Sequence, residues 1–287
     1  MTESESMAAV RHALALGYGT VVIQSGEDYG LSREWVARLV SRIKRETPLA
    51  VTLSLGERPD EDLVAWRQAG ADRYLLRFEA SNRELYNRIH PALPGRTSDR
   101  VAMLRRLREL DYETGGGGMV GIPGQTYDDL ADDIELYRHL DLDMIGIGPY
   151  LPHPDTPLAR GRRLLSAPPD KQVPNTELMT HKVLALGRLV CPLANIPSTT
   201  ALATLNGDNG RELAWMRGAN VVMPNITPMA YRSMYEIYPS KACMKEAPDR
   251  FCDHLREQIH AMRRTVGIGR GDSPRRLLAL QTRPLAV

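Results

Sequence analysis

The sequence predicts an α/β protein, a TIM-type (β/α)8 barrel that lacks its first strand and the loop after it. Three observations predict it. β-branched apolar runs alternate with helical periodicities through most of the 287 residues, the pattern of a parallel sheet with crossover helices. The regular beat favours a closed barrel over a doubly wound sheet. A closed barrel of this kind needs eight strands, whereas seven are legible and the chain opens on a helix with no strand before it.

The elements follow in order. Thr2-x-x-Glu5 is a capping box, with Met7, Val10 and Leu14 at helical spacing behind it. Gly17 and Gly19 end that helix. Thr20-Val-Val-Ile23 is a buried strand, leading into Gln24-Ser-Gly-Glu-Asp28. Ser32 caps a helix whose face is Trp35, Val36, Leu39, Val40 and Ile43. Leu49-Ala-Val-Thr-Leu53 is the second strand, and the helix over 60–69 stops at Gly70. Tyr74-Leu-Leu76 is the third strand. Ser81 and Ser98 are expected to cap the two helices that follow, the second turning Val101, Leu104 and Leu107 inward. A helix over 128–140, a strand over 143–148, a helix over 176–190, a strand over 193–197, a helix over 211–217 and a strand over 220–223 complete the beat. A helix over 250–266 closes a single domain of residues 1–267, and 268–287 reads as a basic, flexible tail.

The fourth strand is the glycine stretch Gly115-Gly-Gly-Gly-Met119-Val-Gly121-Ile-Pro123-Gly124-Gln-Thr126. Gly116-x-Gly118-x-x-Gly121 fits the dinucleotide fingerprint, which needs a helix opening at its last glycine. Pro123 disfavours helix at Ile122, and the next helix signal is Thr126-Tyr-Asp-Asp129, a capping box with Asp in the Glu position. The glycines therefore lie within or before a strand. They either let a ligand approach the backbone or fill a tight barrel wall.

Bulk properties exclude several classes. A net charge of +2 gives no basis for a nucleic-acid or membrane-surface partner. No apolar run approaches the roughly 20 residues of a membrane span. The acidic, polar start is not a secretory signal. Three cysteines, Cys191, Cys243 and Cys252, are too few and scattered for a disulfide framework, so a reducing cytoplasm is expected.

Barrel enzymes carry their sites at the C-terminal ends of the strands. Here nearly every such end is polar: Gln24–Asp28, Thr52 and Ser54 with Glu57, Arg77 with Glu79, Gln125, Tyr150 with His153 and Asp155, 198–200, and Asn225. That ring predicts a ligand-binding face. The loop over 152–174, with six prolines, reads as a lid or binding loop. His153-Pro-Asp155 reads as a turn, and Asp128, Asp129, Asp132 and Asp133 as a solvated helix face near a favourable N-terminus.

At these same strand ends the chain resembles the HydE family, radical S-adenosylmethionine (SAM) maturases of FeFe hydrogenase. The resemblance rests on Val22-Ile-Gln-Ser-Gly-Glu-Asp28, Thr52-Leu-Ser-Leu-Gly-Glu57 and Ala69-Gly-Ala-Asp-Arg-Tyr-Leu-Leu-Arg77. It continues through Met119-Val-Gly-Ile-Pro-Gly-Gln-Thr126, Asp143-Met-Ile-Gly-Ile-Gly-Pro149, Pro152-His-Pro-Asp-Thr-Pro157, Gly218-Ala-Asn-Val-Val-Met-Pro-Asn225 and Tyr235-Glu-Ile-Tyr-Pro239. Biotin synthase and methylornithine synthase are similar in architecture and are the alternatives. A further alternative is a cluster-free binding or scaffold protein.

The resemblance implies a radical SAM barrel with SAM and one 4Fe–4S cluster. Three cysteines spaced Cys-x3-Cys-x2-Cys, after the first strand, hold that cluster in the family. These 287 residues contain no such triplet, and their start matches the helix after the cluster loop, so an N-terminal truncation is expected and the chain alone is expected to be inactive. By resemblance Gln24, Thr52, Glu79, Arg100, Met223 and Tyr235 surround SAM. Arg73, Arg77, Thr199, Thr200 and Tyr238 form a deeper anion or substrate wall. Cys243 and Cys252 match two ligands of a second cluster, whose third position is Leu255 here. The implied substrate is an iron–cysteine complex with carbonyl and cyanide ligands, and the implied partners are the maturases HydG and HydF.

Overall fold

The computed structural model describes residues 1–90, 95, 97–160, 166–237, 239 and 248–281, without the side chains of 248–250 and 279–281. In chain order the elements are α1 (Glu3–Ala15), β1 (Thr20–Gln24), α2 (Arg33–Glu46), β2 (Ala50–Ser54), α3 (Asp60–Gln68), β3 (Arg73–Leu75), α4 (Arg83–Ile89), α5 (Arg100–Glu109) and β4 (Glu113–Val120). There follow α6 (Tyr127–His139), β5 (Met144–Pro149), α7 (Glu177–Val190), α8 (Thr200–Leu205), α9 (Gly210–Met216), α10 (Met229–Arg232) with a 3-10 turn (Ser233–Tyr235), α11 (Pro248–Ala261) and α12 (Pro274–Gln281).

The five strands pair in parallel, in sequence order, as a curled half-barrel. Its curl continues through two single bridges, Met144 to Asn195 and Pro197 to Val221. These stand where the sixth and seventh strands were expected. Pro192, Pro197 and Pro224 bracket them, and a residue without an N–H cannot extend a ladder. The far flank of β1 pairs with no strand among the described residues. Val22, on the same face of β1 as Thr20 and Gln24, is left 37% exposed beside it.

Local signals hold where backbone chemistry sets them. Thr2/Glu5 and Thr126/Asp129 form reciprocal capping boxes, and Ser32 accepts from Trp35 N. Gly17 and Gly70 end their helices at φ +80° and +105°. Val36, Leu39, Val40 and Ile43 of α2 are all buried. Under α3 and α5, Trp66 stacks on Tyr74 (6.5 Å between ring centres, 7° between planes), which meets Tyr112 edge-on at 5.9 Å. Both phenols reach backbone carbonyls, Tyr74 that of Gly56 and Tyr112 that of Leu63, so burying them costs no orphaned hydroxyl.

Of the flexible tail expected over 268–287, residues 282–287 lie outside the described residues, and 268–281 form a defined segment. It crosses the lower mouth of the barrel and is tied to the starts of the strands. Arg270 pairs with Asp72, Asp272 with Arg73, Ser273 Oγ donates to Asp143 (2.8 Å), Arg275 reaches Asp141 (2.7 Å) and Arg276 reaches Asp111 (3.1 Å). Asp111 and Asp141, both left-handed, sit in the helix-to-strand turns at this mouth. A basic strand of chain is held by an acidic rim, a long-range complementarity that periodicity does not display.

The same contacts engage Arg73. It opens β3 at the lower mouth, where Nε donates to Glu113 (2.6 Å), Nη1 to Thr20 Oγ1 (2.8 Å) and Nη2 to Arg270 O (3.0 Å). Burial pushes the Glu113 carboxyl above its ordinary value, against the pull of Arg73. Arg73 thus ties the lower end of the barrel together, and it also lines the small interior void beside Thr52.

Candidate functional site

The upper mouth is organised by how the chain leaves β3 and β4. Beyond Leu75 the backbone still bonds across to β4, with Leu76 N to Gly115 O (2.9 Å), Glu79 N to Gly117 O (3.1 Å) and Met119 N to Glu79 O (2.9 Å). Glu79 itself is left-handed at φ 67°, a conformation that costs a glutamate on the order of 1 kcal/mol or more and marks functional sites. Gly118 stands opposite, where a Cβ would lie 3.2 Å from Glu79 O. Arg77 Nη2 donates to Gly118 O (2.7 Å) and lies 3.1 Å from Glu79 Oε2.

Arg100, the first residue of α5, joins this group. Its Nη1 donates to Arg77 O (2.7 Å), Nη2 to Glu27 (2.7 Å), and Nε to Glu57 (3.1 Å); His90 Nε2 lies 2.7 Å from Nη2. Burial lowers the Arg100 guanidinium, but the charges of Glu79 and Glu27 outweigh it and hold it above its ordinary value. Glu57 is nearly buried and also receives Ser98 Oγ and Tyr86 Oη. Ser98 therefore serves the site rather than α5, whose cap is Asp99 (2.9 Å to Ala102 N). Glu27, Glu57 and His90 offer ligand atoms within 4.8 Å of one another. The guanidinium of Arg100 bonds to all three, so a cation of the chain's own already occupies the centre of the cluster.

A second network supports the turn after β4. Gln125, fully buried, accepts from Gly121 N (2.7 Å) and Ile122 N (3.3 Å), and donates to Met119 O and Asp133 (both 3.0 Å). Asp133 also accepts from Ser81 N (2.6 Å). It is 1% exposed, which corrects its reading as part of a solvated face. With Ser81 N taken by Asp133, the cap of α4 passes to Asn82, which accepts from Glu84 N and Leu85 N. Burial raises the Asp133 carboxyl to about 6, against the hydrogen bonds from Ser81 and Gln125. Gly121, at φ +83°, lies where a Cβ would be 2.3 Å from Asn175, so the turn also packs on the chain leading into α7. The fingerprint glycines are thus a strand and its exit, and α6 begins only at Tyr127.

The other expected residues fall around this centre to different degrees. Gln24, the last residue of β1, hydrogen-bonds the Tyr235 hydroxyl; burial nonetheless raises the Tyr235 phenol above its ordinary value. Thr199 precedes α8, and its Oγ1 would be 3.3 Å from a Cβ on Gly148. Thr200 opens α8, and Met223 is 37% exposed just past the Val221 bridge. Thr52 lies lower, level with Arg73 in the strand register, beside a void of about 10 Å³. Tyr238 and Cys243 lie outside the described residues. Cys252 is buried with its thiol on Leu16 O.

Several polar atoms of this wall are buried without a hydrogen-bond partner, Arg77 Nε, Tyr150 Oη, Ser198 Oγ and Thr199 Oγ1, while Glu79 Oε2 is met only by its ion pair with Arg77. Native interiors rarely leave such groups unpaired. Orphans grouped along one mouth fit a polar ligand with hydroxyl, amino and carboxylate functions. Cysteine chemistry does not match in the same way, because Cys191 ends α7 and Cys252 faces a backbone carbonyl.

The fold and this mouth define a parallel half-barrel with a polar ligand face at its strand ends. Comparison with known proteins gives the family. Residues 1–137 match the family model of the radical SAM superfamily. The FeFe hydrogenase maturase subunit HydE of Thermotoga maritima is 45% identical over 246 residues, 86% of this chain and 66% of that protein. Biotin synthase of Persephonella marina is 29% identical over 57% of this chain and 44% of its own length. The 3-methylornithine synthase of Methanosarcina acetivorans is 27% identical over 72% of this chain and 55% of its own. The chain thus spans between 44% and 66% of the length of these relatives. Crystal structures of methylornithine synthase (TM-score 0.72, 23% identity, 93% of this chain and 74% of that one) and HydG (0.68, 16%, 90% and 57%) share the fold. The chain belongs to the radical SAM superfamily, as a HydE-like member.

Proposed function

We propose that this chain forms the SAM-binding barrel of a HydE-like radical SAM hydrogenase maturase. The observation that carries the reading is the convergence of Glu79, Arg77 and Arg100 at one mouth, with unpaired polar atoms around them. Arg100 is placed to pair with the methionine carboxylate, since a guanidinium fork matches a carboxylate. Glu79 is placed to accept from ribose hydroxyls or the methionine ammonium. Gln24 and Tyr235 border this mouth at the end of β1, Met223 follows the Val221 bridge, and Thr52 lines the wall below. Arg77, Thr199 and Thr200 supply the anion-binding wall deeper in. When bound and reduced by a cluster, SAM supplies a 5′-deoxyadenosyl radical. What this chain contributes is position, charge and exclusion of water.

The 4Fe–4S cluster is a different matter. None of the three cysteines stands in Cys-x3-Cys-x2-Cys spacing. The unpaired flank of β1 is the place for the strand and thiolate loop that hold the cluster in the family. An iron–cysteine carbonyl and cyanide complex as substrate, HydG and HydF as partners, and a cytoplasmic setting follow from the HydE likeness. Among the described residues no helix is long and apolar enough to cross a membrane. The biotin synthase and methylornithine synthase readings are less supported, at 29% and 27% identity against 45%.

Reconstitution with iron and sulfide tests this reading, with 5′-deoxyadenosine as product. The 287-residue chain should give none. A version preceded by a strand bearing Cys-x3-Cys-x2-Cys should give product. No product from the extended version would overturn the reading.

A further inference from the structure

Two carboxylates share the guanidinium of Arg100, and they are held very differently. Glu57 has a 7% exposed side chain and is fixed by Ser98, Tyr86 and Arg100 together. Glu27 comes from the exposed loop after β1, its side chain 25% exposed. Arg58 pins that loop further on, at Asp28 O (2.8 Å) and Leu31 O (2.7 Å). The preceding Gly26 has no atom near the position of a Cβ. Glu27 is thus the more exposed of the two carboxylates and comes from a loop rather than from a buried strand end.

The place that the Glu27 carboxylate occupies is itself specific. Oε1 receives Arg100 Nη2 at 2.7 Å, and Oε2 receives the backbone N–H of Glu57 at 2.8 Å. Gly56, at φ +74°, forms the adjoining wall; a Cβ there would lie 2.4 Å from Glu27 Oε2. A guanidinium, an amide N–H and a side-chain-free surface make a fitted carboxylate cradle, the charge-assisted geometry that binds carboxylates most strongly. It opens directly beside Arg77 and Glu79 through Arg100.

We propose that Arg100, the Glu57 amide and Gly56 form a carboxylate-binding cradle in which Glu27 is an exchangeable internal occupant, displaced when a ligand carboxylate enters. The proposal rests on the SAM reading for the identity of that ligand, the carboxylate of its methionine arm. With Glu57 and the Arg77 carbonyl, Glu27 keeps the guanidinium hydrogen-bonded in the free protein, leaving no nitrogen of its fork without an acceptor. The cost of displacing it lowers apparent affinity for any carboxylate ligand by the fraction of time the cradle is taken.

Two measurements on Glu27→Ala and Glu27→Gln test it. The first needs no SAM: thermal unfolding with acetate titrated against chloride at matched ionic strength. Acetate should raise the melting temperature of Glu27→Ala saturably, beyond any effect of chloride, and leave the native protein unchanged. Equal responses to acetate and chloride would overturn the cradle. The second is calorimetric binding of SAM and of methylthioadenosine, which keeps the nucleoside and the sulfur, as a neutral thioether in place of the sulfonium, but lacks the amino-acid arm and its carboxylate. Both variants should bind SAM at least about fivefold more tightly than the native chain, with methylthioadenosine unchanged. An equal gain for both ligands, or no gain for SAM, would overturn the exchange. Acetate rescue without binding of either nucleoside would leave the cradle standing and remove SAM as its ligand.

Discussion

Gln125 Nε2 and Asp133 Oδ2 are 3.0 Å apart, and this one bond joins the exits of two neighbouring strands. Gln125 holds the amides of Gly121 and Ile122 after β4, while Asp133 holds the amide of Ser81, two residues beyond Glu79. Changing Gln125→Ala removes the bonds to two buried amides, to Met119 O and to Asp133 Oδ2, while Asp133 keeps its bond from Ser81 N. Each unmet group costs about 1–3 kcal/mol. Urea denaturation should show a loss of that order. Hydrogen exchange should quicken at Gly121 and at the Glu79 to Ser81 segment together.

Asp133 also imposes a pH dependence. Its carboxyl titrates at about 6 in the folded chain against an ordinary 3.8. The folded state therefore holds a proton that the unfolded state has released. Its contribution is fully present below about pH 4 and is lost as pH rises to about 6, a swing of about 3 kcal/mol. Denaturation midpoints for the native chain and Asp133→Asn, measured through this window, should diverge in slope. Parallel pH profiles would contradict the assignment.

Much of the fold was legible because its signals are local. Capping boxes at Thr2 and Thr126, left-handed glycines at 17 and 70, and the buried stripe of α2 depend on residues a few positions apart. The sixth and seventh strands reduced to single bridges because prolines interrupt the ladder, a limit that apolar patterning does not reveal. The site was legible only in part. Glu79 and Arg77 stand at a strand end that the sequence marks as polar and Arg100 joins them from α5, yet the contacts that define the site span 73 residues from Glu27 to Arg100 and 52 from Ser81 to Asp133. Asp133 was misread because the same spacing suits a solvated face, and only the packing of α6 under β4 buries it. The partners of Arg73 at the lower end, Glu113 and the Arg270 carbonyl, are likewise too distant in sequence to be read from it.

The lower mouth gives a double-mutant expectation. Arg73 and Glu113 are both about 4% exposed and bond at 2.6 Å. Arg73→Met leaves the Glu113 carboxylate buried without its cation, a loss of about 3–5 kcal/mol. Adding Glu113→Leu should recover much of it. Additive losses in chemical denaturation would show that the pair is not coupled.

Gly117 has no tolerance for a side chain. At φ +143°, an added Cβ would lie 2.0 Å from Gly146 O, inside the β4–β5 ladder. Gly117→Ala should abolish soluble, cooperatively folding protein. Gly26→Ala, where a Cβ meets nothing within 4 Å, should be close to neutral in the same circular dichroism melts.

The most direct measurement is equilibrium binding of SAM to the purified chain, alongside Glu79→Gln and Arg100→Met. Binding to the native chain, weakened about tenfold or more by either substitution while the melting transition stays cooperative, is the expected result. Equal affinity in all three proteins, or no SAM binding to the native chain, would contradict a SAM-binding mouth built on Glu79 and Arg100.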